Sequence, residues 1–371
     1  MELNIHTETL LAVFALSVAL GALAARTGFC TMGAVSDWIN IGDLGRMRSW
    51  MLAIAVALAG VAAMESAGVV DLNATFPPYR TPQFAWLRHL LGGLMFGVGM
   101  TLASGCGNKT LVRIGGGNLK SLFVLAVAAV TAYRMIYTDS YQALFGWTQS
   151  FTVALDAHGI PSQSIGALAA AVSGGDAATL NAGLSWALAG ALAIWAFASA
   201  DFRRNPDQLL GGIGFGLAVL AGWWLTAGPR AAAWKEWAEF ADVVPSRVEA
   251  QSYTFVSPMA DGLRWLMDPA NGALLNFGTM ALAGVTFGAF IHALLARRFR
   301  IEWFRSKADL VRHAFGAVLM SCGGVLASGC SVGQGITGLS TLALGALFTL
   351  LAVIAGSALT MKATSWWLMR D

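Results

Sequence analysis

The sequence is poor in charged residues, and this scarcity excludes a soluble protein. Only 12% of its 371 residues are charged and 57% are hydrophobic, whereas a soluble domain carries about 25% charged residues. Most of the surface must therefore face membrane lipid, and we expect no soluble domain. Long basic runs, Walker motifs, metal-ligand clusters and Ser-His-Asp arrangements are also missing. We therefore expect no nucleic-acid partner, no cofactor, no metal and no ATPase or hydrolase activity.

Cysteine is scarce as well, with four residues: Cys30, Cys106, Cys322 and Cys330. None of them forms a Cys-x-x-Cys pair, so neither a thioredoxin-type redox site nor a clustered zinc site is indicated. Glycine, in contrast, is abundant, with 43 residues. This abundance is typical of membrane helices that pack closely or break inside the bilayer, and it favours a transporter over a simple anchor.

Apolar runs close to the ~20 residues that cross a bilayer recur along the whole chain. They predict an all-α, polytopic membrane protein with about nine transmembrane helices, surrounded by lipid. The stretch 137–175 is less apolar, and we expect loop with short interfacial helices there. The nine predicted spans cover, approximately, residues 9–26, 50–68, 86–105, 118–136, 182–199, 209–227, 273–295, 311–330 and 341–360.

Basic residues in the connectors predict the orientation in the membrane. They follow spans one, five and seven, which places them on one side, and the positive-inside rule assigns that side to the cytoplasm. We therefore expect a multi-pass protein of the bacterial inner membrane with its N-terminus outside and its C-terminus in the cytoplasm. The connectors 71–82 and 228–271 would then face outward. The basic residues concerned are Arg46, Arg48, Arg203, Arg204, Arg297, Arg298, Arg300, Arg305 and Lys307.

An internal repeat is the sharpest feature of the sequence. An offset of 224 residues lays the stretch 88–106 over 312–330, and nine of the nineteen aligned positions are identical without a gap. In the predicted topology the two copies cross the membrane in opposite directions. We therefore expect a single transporter domain over 1–371, with inverted repeats at about 9–136 and 209–360. Such folds bind their substrate near the midplane, where broken helices from the two copies meet.

Ser-Gly-Cys closes each copy of the repeat and is followed by residues that suit a helix break, at 107–109 and 331–335. A glycine there would let the backbone turn, and the next helix could aim free N–H groups at an anion. In the first copy we expect that helix to follow the glycine run at 115–117.

The cysteines of this motif are soft, polarizable donors that suit brief contacts with a sulfur-containing anion. Cys30 lies beside glycines just after span one, whereas Cys322 has no cysteine in the other copy and is read as a packing residue. The predicted substrate-binding residues are Cys30, Cys106, Cys330, Ser104, Gly105, Asn108, Lys109, Ser328, Gly329, Ser331 and Gln334.

These motifs resemble those of the YeeE/YedE family of bacterial membrane proteins. The likeness rests on Gly-Phe-Cys-Thr-Met-Gly-Ala at 28–34, Ala-Ser-Gly-Cys-Gly-Asn at 103–108, Gly-Asn-Leu-Lys-Ser at 117–121 and the second Ser-Gly-Cys. It implies thiosulfate uptake through a cysteine-lined pathway in an hourglass-shaped helical protein, with Cys106 as the central cysteine. It also implies cooperation with a small cytoplasmic sulfur-carrier protein of the TusA type.

Several alternatives stay open at this point. One is a membrane thiol oxidoreductase or sulfur-transfer protein, although such an enzyme would want closely spaced, reactive cysteine pairs. Another is a transporter of a selenium compound or of a different small anion. The Arg-His pairs at 88–89 and 312–313 are read as anchors of the repeat rather than as ligands. Glu65 is the only carboxylate considered for proton coupling, and an interfacial role is favoured for it.

Overall fold

The computed structural model describes residues 4–368, and within them nine helices are long and apolar enough to cross a membrane. Each of the nine coincides with a predicted span, so the expectation of an all-α, multi-pass membrane protein is confirmed. The α-helices are α1 (Ile5–Thr27), α2 (Thr31–Ile41), α3 (Gly45–Ser66), α4 (Trp86–Leu102), α5 (Gly107–Gly115), α6 (Leu119–Tyr137), α7 (Ser140–Phe145), α8 (Ile165–Ser173), α9 (Ala177–Phe197), α10 (Ala200–Arg203), α11 (Pro206–Ala227), α12 (Ala231–Glu239), α13 (Ser257–Met267), α14 (Phe277–Leu295), α15 (Lys307–Leu326) and α16 (Leu344–Leu368).

Polar side chains fix where several long helices begin. Asn4 accepts a hydrogen bond from the Thr7 N–H at 2.8 Å at the start of α1. Asn276 and Thr279 form a reciprocal capping box at the start of α14. Such caps satisfy N–H groups that would otherwise have no partner at a helix end, which matters more in lipid than in water.

Helices α4 and α15, which carry the two copies of the repeat, lie side by side and antiparallel. A Cβ atom on Gly99 would stand 2.2 Å from the Met320 backbone nitrogen, and one on Gly323 would stand 2.5 Å from the Phe96 nitrogen. The two backbones therefore touch directly, and only glycine fits at these positions. The start of each helix lies beside the end of the other.

The other long helices pair across the two halves of the chain. Helix α1 packs on α14, α3 on α11, α4 on α16 and α6 on α15. Glycines again allow close approach, since a Cβ on Gly288 would overlap the Val18 carbonyl oxygen at 1.9 Å. The interior is therefore built between the two halves rather than within each of them.

The connectors are more structured than the sequence indicated. Within 137–175 the predicted short helices are present as α7, α8 and two 3₁₀ turns, but the chain also forms strand β2 (Val153–Ala154), which pairs antiparallel with β1 (Gln83–Phe84). The connector 228–271, predicted as an outward loop, instead sends residues 250–256 through the buried interior. The sequence of this segment is polar and therefore did not predict its burial. Burial is possible because most of its polar groups form hydrogen bonds inside the protein.

Two acidic groups, one half-buried and one buried, have identified partners. Glu65 forms a two-pronged ion pair with Arg80, at 2.5 and 2.9 Å, and the Arg80 Nε–H donates to the Thr341 carbonyl oxygen at 3.0 Å. Glu65 therefore anchors a connector, which accounts for its position without proton coupling. Asp261 in α13, which the sequence analysis missed, is buried against Arg247 at 2.8 Å.

Candidate functional site

Three cysteines share one structural position, the residue immediately before a short helix that follows a break. Cys106 is the N-cap of α5 and Cys30 is the N-cap of α2. Cys330 immediately precedes a helical turn that continues into the π-helix Gly333–Gly338. All three side chains are buried, with exposed fractions between 1% and 4%. The broken helices therefore deliver their cysteines to the interior of the bundle.

The breaks are made by serine in both copies of the repeat. Ser104 and Ser328 adopt φ values of 60° and 57°, in the left-handed region. The Gly105 N–H donates to the Met100 carbonyl at 2.8 Å, and the Gly329 N–H donates to the Gly324 carbonyl at 2.7 Å. This is the Schellman ending of a helix, in which glycine usually holds the left-handed position. A short polar side chain occupies it here.

The predicted position of the break is therefore wrong by a few residues. We expected the turn at 107–109 and a following helix after 115–117, but residues 107–109 already belong to α5. In the second copy the turn also precedes Cys330, and residues 331–335 are helical. The Schellman hydrogen bonds end α4 and α15 before the cysteine, so the glycines after it are not needed for turning.

Backbone N–H groups of the short helices point at two of the sulfur atoms. The Gly33 N–H donates to Cys30 Sγ at 3.3 Å, and the Gly333 N–H donates to Cys330 Sγ at 3.2 Å. A sulfur at the N-terminal end of a helix lies in a positive electrostatic potential, which favours anions. These helices therefore begin at the cysteines themselves rather than after the glycine run at 115–117.

The two halves of the chain meet at these cysteines. The Cys30 and Cys106 thiols are direct neighbours, and Cys106 also contacts Ser331, the residue next to Cys330. The Cys330 thiol lies beside Thr254. The prediction that the two Ser-Gly-Cys motifs lie close together agrees with this arrangement. Lys109 is half-buried, and its charge acts on the Cys30 thiol together with that of Arg46.

Unpaired polar atoms concentrate around the cysteines. Among the described residues, nine buried side-chain N and O atoms lack a hydrogen-bond partner, and five of them lie within four residues of Cys30, Cys106 or Cys330 or contact one of these thiols. Because an unpaired buried polar group is costly, such a cluster is typical of a site that binds water or a ligand. The five atoms are Thr31 Oγ1, Asn108 Oδ1, Thr254 Oγ1, Ser331 Oγ and Gln334 Oε1, of which Ser331 Oγ and Thr254 Oγ1 have only the neighbouring Cys106 and Cys330 thiols beside them.

Two cavities approach the cysteines from opposite ends of the α4–α15 pair. One, of about 430 Å³, is lined by Ser104, Arg113 and His313, among others. The other, of about 240 Å³, is lined by His89, Ser328 and others. Neither cavity lining includes a cysteine. We call these cavities the vestibules and the group of three buried cysteines between them the constriction, which is not open to either cavity in this structure.

The remaining predicted residues contribute to this constriction in different ways. Gln334 Nε2 donates to the Ala327 and Ser328 carbonyls at 2.6 and 3.1 Å, so its amide caps α15. In the other copy Arg113 performs the same task by donating to the Ser104 carbonyl at 2.7 Å. Gly105 lies against the side chain of Lys109. These contacts position the breaks that present the cysteines.

Three site features escaped the sequence analysis. Thr31 follows Cys30 directly and could have been included on that ground, whereas Thr254 lies in a connector without a motif. The Arg-His pairs were read as anchors, and the contacts agree, since His89 Nδ1 lies 2.9 Å from Thr349 Oγ1 and His313 Nδ1 lies 2.7 Å from the Asp309 carbonyl. Both residues of each pair nevertheless line a vestibule, a position that the sequence analysis did not predict.

Comparisons with known proteins agree with this architecture. The profile of a family described as "Sulphur transport" matches residues 26–359. The thiosulfate transporter TsuA of Escherichia coli K12 is 25% identical over 341 residues, which cover 85% of this chain and 84% of that protein. The thiosulfate transporter TsuA of Spirochaeta thermophila is 21% identical over 350 residues, which cover 91% and 93% of the two chains. The expected YeeE/YedE kinship is thereby confirmed, and the chain belongs to the sulphur transport family.

Proposed function

We propose that this protein carries thiosulfate, or a closely related small sulfur-containing anion, across the bacterial inner membrane, and that it is a transporter rather than an enzyme. The observation that carries the proposal is the constriction of three buried cysteines surrounded by unpaired hydroxyl and amide groups. The names of the two relatives supply the substrate class.

The chemistry of the constriction suits such an anion. Thiols are weak donors and polarizable, so they can contact a terminal sulfur without holding it tightly. Conduction requires binding that is weak and divided among several sites. Cys30, Cys106 and Cys330 provide successive thiols, and the 331–334 turn adds hydroxyl and amide groups. Lys109 supplies a positive charge that attracts the anion.

The two vestibules support passage from one side to the other. They lie at opposite ends of antiparallel helices, and each combines an Arg-His pair with a left-handed serine. We infer that the units 9–136 and 209–360 act as inverted repeats and that the cysteines form the gate between them. Rocking of one repeat against the other would expose the cysteines to each vestibule in turn.

The positions of the basic residues support the proposed orientation. Arg48 lies over the Trp195 ring, near the end of α9, and the connector after α14 hydrogen-bonds to residues at the α5–α6 turn. These basic ends gather on one side, which would be cytoplasmic. A small sulfur-carrier protein of the TusA type would receive the cargo there, as the family likeness implies.

One observation favours an alternative. Because the Cys30 and Cys106 thiols are neighbours, they could support thiol–disulfide chemistry, as in a membrane oxidoreductase or sulfur-transfer protein. A transporter delivers thiosulfate with its sulfur–sulfur bond intact, whereas sulfur transfer splits the two sulfur atoms between products. Thiosulfate labelled separately at each sulfur distinguishes the two.

The test is uptake of labelled thiosulfate into proteoliposomes that contain the purified protein. We expect accumulation of both labels as one anion, competition by unlabelled thiosulfate, and much weaker competition by sulfate, sulfite and selenium oxyanions. Protein-free liposomes give the background. Accumulation equal to that background, or stronger competition by another anion, would refute thiosulfate as the substrate.

A further inference from the structure

One polar segment crosses the interior beside the second Ser-Gly-Cys motif. Residues 250–256 are buried without regular helix or strand, and they pack against α11 and the π-helix Gly333–Gly338. Most of their polar groups are paired. The Ser252 hydroxyl donates to the Val219 carbonyl at 2.8 Å, and the Thr337 hydroxyl donates to the Tyr253 carbonyl at 2.8 Å. The Gln251 N–H donates to Thr226 Oγ1 at 2.9 Å. The segment is therefore held firmly in place.

Thr254 is the exception on this segment. The residue is 7% exposed, and its hydroxyl has no nitrogen or oxygen partner, only the Cys330 thiol beside it. The hydroxyl lies against Gly333, where a Cβ atom would stand 2.4 Å from it, and beside the Cys330 thiol. A buried hydroxyl costs free energy unless it is paired. A thiol sulfur is only a weak acceptor, so the hydroxyl can still donate a stronger hydrogen bond to an anion at this position.

The same position in the first half of the chain holds a cysteine. The offset of 224 residues that superimposes Cys106 on Cys330 also lays Cys30 over Thr254. The surroundings correspond, because Cys30 precedes α2 and neighbours Cys106, whereas Thr254 precedes α13 and neighbours Cys330. The constriction thus has four positions related by the 224-residue offset, and one of them carries a hydroxyl in place of a thiol.

We propose that Thr254 is a fourth substrate-contacting residue, whose hydroxyl donates a hydrogen bond to an oxygen of the anion. This inference rests on the proposed function. A hydroxyl is a stronger donor than a thiol and prefers oxygen acceptors. Three thiols and one hydroxyl suit an anion that has sulfur at one end and oxygens at the other. The asymmetry favours one orientation of thiosulfate as it passes the constriction.

The experiment compares Thr254→Val with Thr254→Ser in the proteoliposome assay. Valine keeps the shape without the donor, and serine keeps the donor. We expect Thr254→Val to raise the KM for thiosulfate about tenfold or more, as a lost hydrogen bond to a charged group predicts. The KM of Thr254→Ser for thiosulfate should stay within about threefold of the wild-type value. The matched control is Thr131→Val in α6, because the Thr131 hydroxyl donates only within its own helix.

Stability in detergent separates contact from structure. Thr254→Val should melt at the wild-type temperature without anion, yet gain less stabilisation from added thiosulfate. If Thr254→Val cannot be purified, Thr254→Cys replaces it, because a thiol is a weaker donor of similar size. The inference predicts a raised KM for thiosulfate in Thr254→Cys. Wild-type KM in Thr254→Val or Thr254→Cys would overturn the inference. Loss of uptake in wild type itself would instead refute the proposed function.

Discussion

Single residues determine how each cysteine reaches the interior. A left-handed residue stands two positions before each one: Gly28 before Cys30, Ser104 before Cys106 and Ser328 before Cys330. The N-terminus of the short helix that follows each cysteine is therefore buried in the interior of the helix bundle. Serine at the left-handed position costs free energy that glycine would not, which suggests that its side chain, lining a vestibule, has a use there.

This backbone conformation predicts the effect of changing Ser104. Ser104→Gly should preserve or raise the melting temperature in detergent, because glycine adopts the left-handed conformation freely. Ser104→Val should lower stability by about 1–2 kcal/mol, because a β-branched side chain tolerates that conformation poorly. Differential scanning fluorimetry on the two purified variants provides the comparison. Equal melting temperatures for them would contradict the assigned role of Ser104.

Glycine contacts determine how the long helices meet. Gly99 of α4 and Gly323 of α15 allow the two backbones to touch, whereas Gly190 of α9 has open space where its Cβ would be. Gly99→Leu should therefore prevent assembly of the α4–α15 pair and abolish recovery of monodisperse protein. Gly190→Ala should be recovered at the wild-type level. Fluorescence size-exclusion chromatography measures both, and a monodisperse Gly99→Leu variant would refute the close packing.

The sequence predicted the transmembrane helices better than it predicted the helix breaks and the tertiary contacts. Long apolar runs identified the nine membrane-spanning helices found within residues 4–368, because lipid imposes a length and a composition on each of them. The break positions shifted because Schellman hydrogen bonds, rather than glycine alone, end α4 and α15. Thr254 was missed because it lies in a connector whose sequence is as polar as that of an exposed loop. The connector is nevertheless buried, since most of its polar groups form hydrogen bonds inside the protein. The convergence of Cys30 with Cys106 depends on tertiary packing that no local pattern encodes.

At the scale of the whole molecule, the distribution of basic residues predicts the sidedness of the protein. Asp43 and Asp268 are both exposed, in the α2–α3 and α13–α14 connectors. In the proposed orientation Asp43→Cys lies in the cytoplasm and Asp268→Cys lies outside. A membrane-impermeant maleimide should label Asp268→Cys in intact cells and Asp43→Cys only after permeabilisation. The reverse pattern would invert the orientation and, with it, the assignment of the vestibules.

The account as a whole depends on the thiols at the constriction. Cys106 contacts Cys30 in its own half of the chain and Ser331 in the other half, whereas Cys322 is a buried cysteine of α15 outside the constriction. The decisive measurement is uptake of labelled thiosulfate into proteoliposomes by Cys106→Ala and by its matched control Cys322→Ala, at equal protein content. We predict that Cys106→Ala loses uptake to the level of protein-free liposomes and that Cys322→Ala retains it. Wild-type uptake by Cys106→Ala would contradict the account.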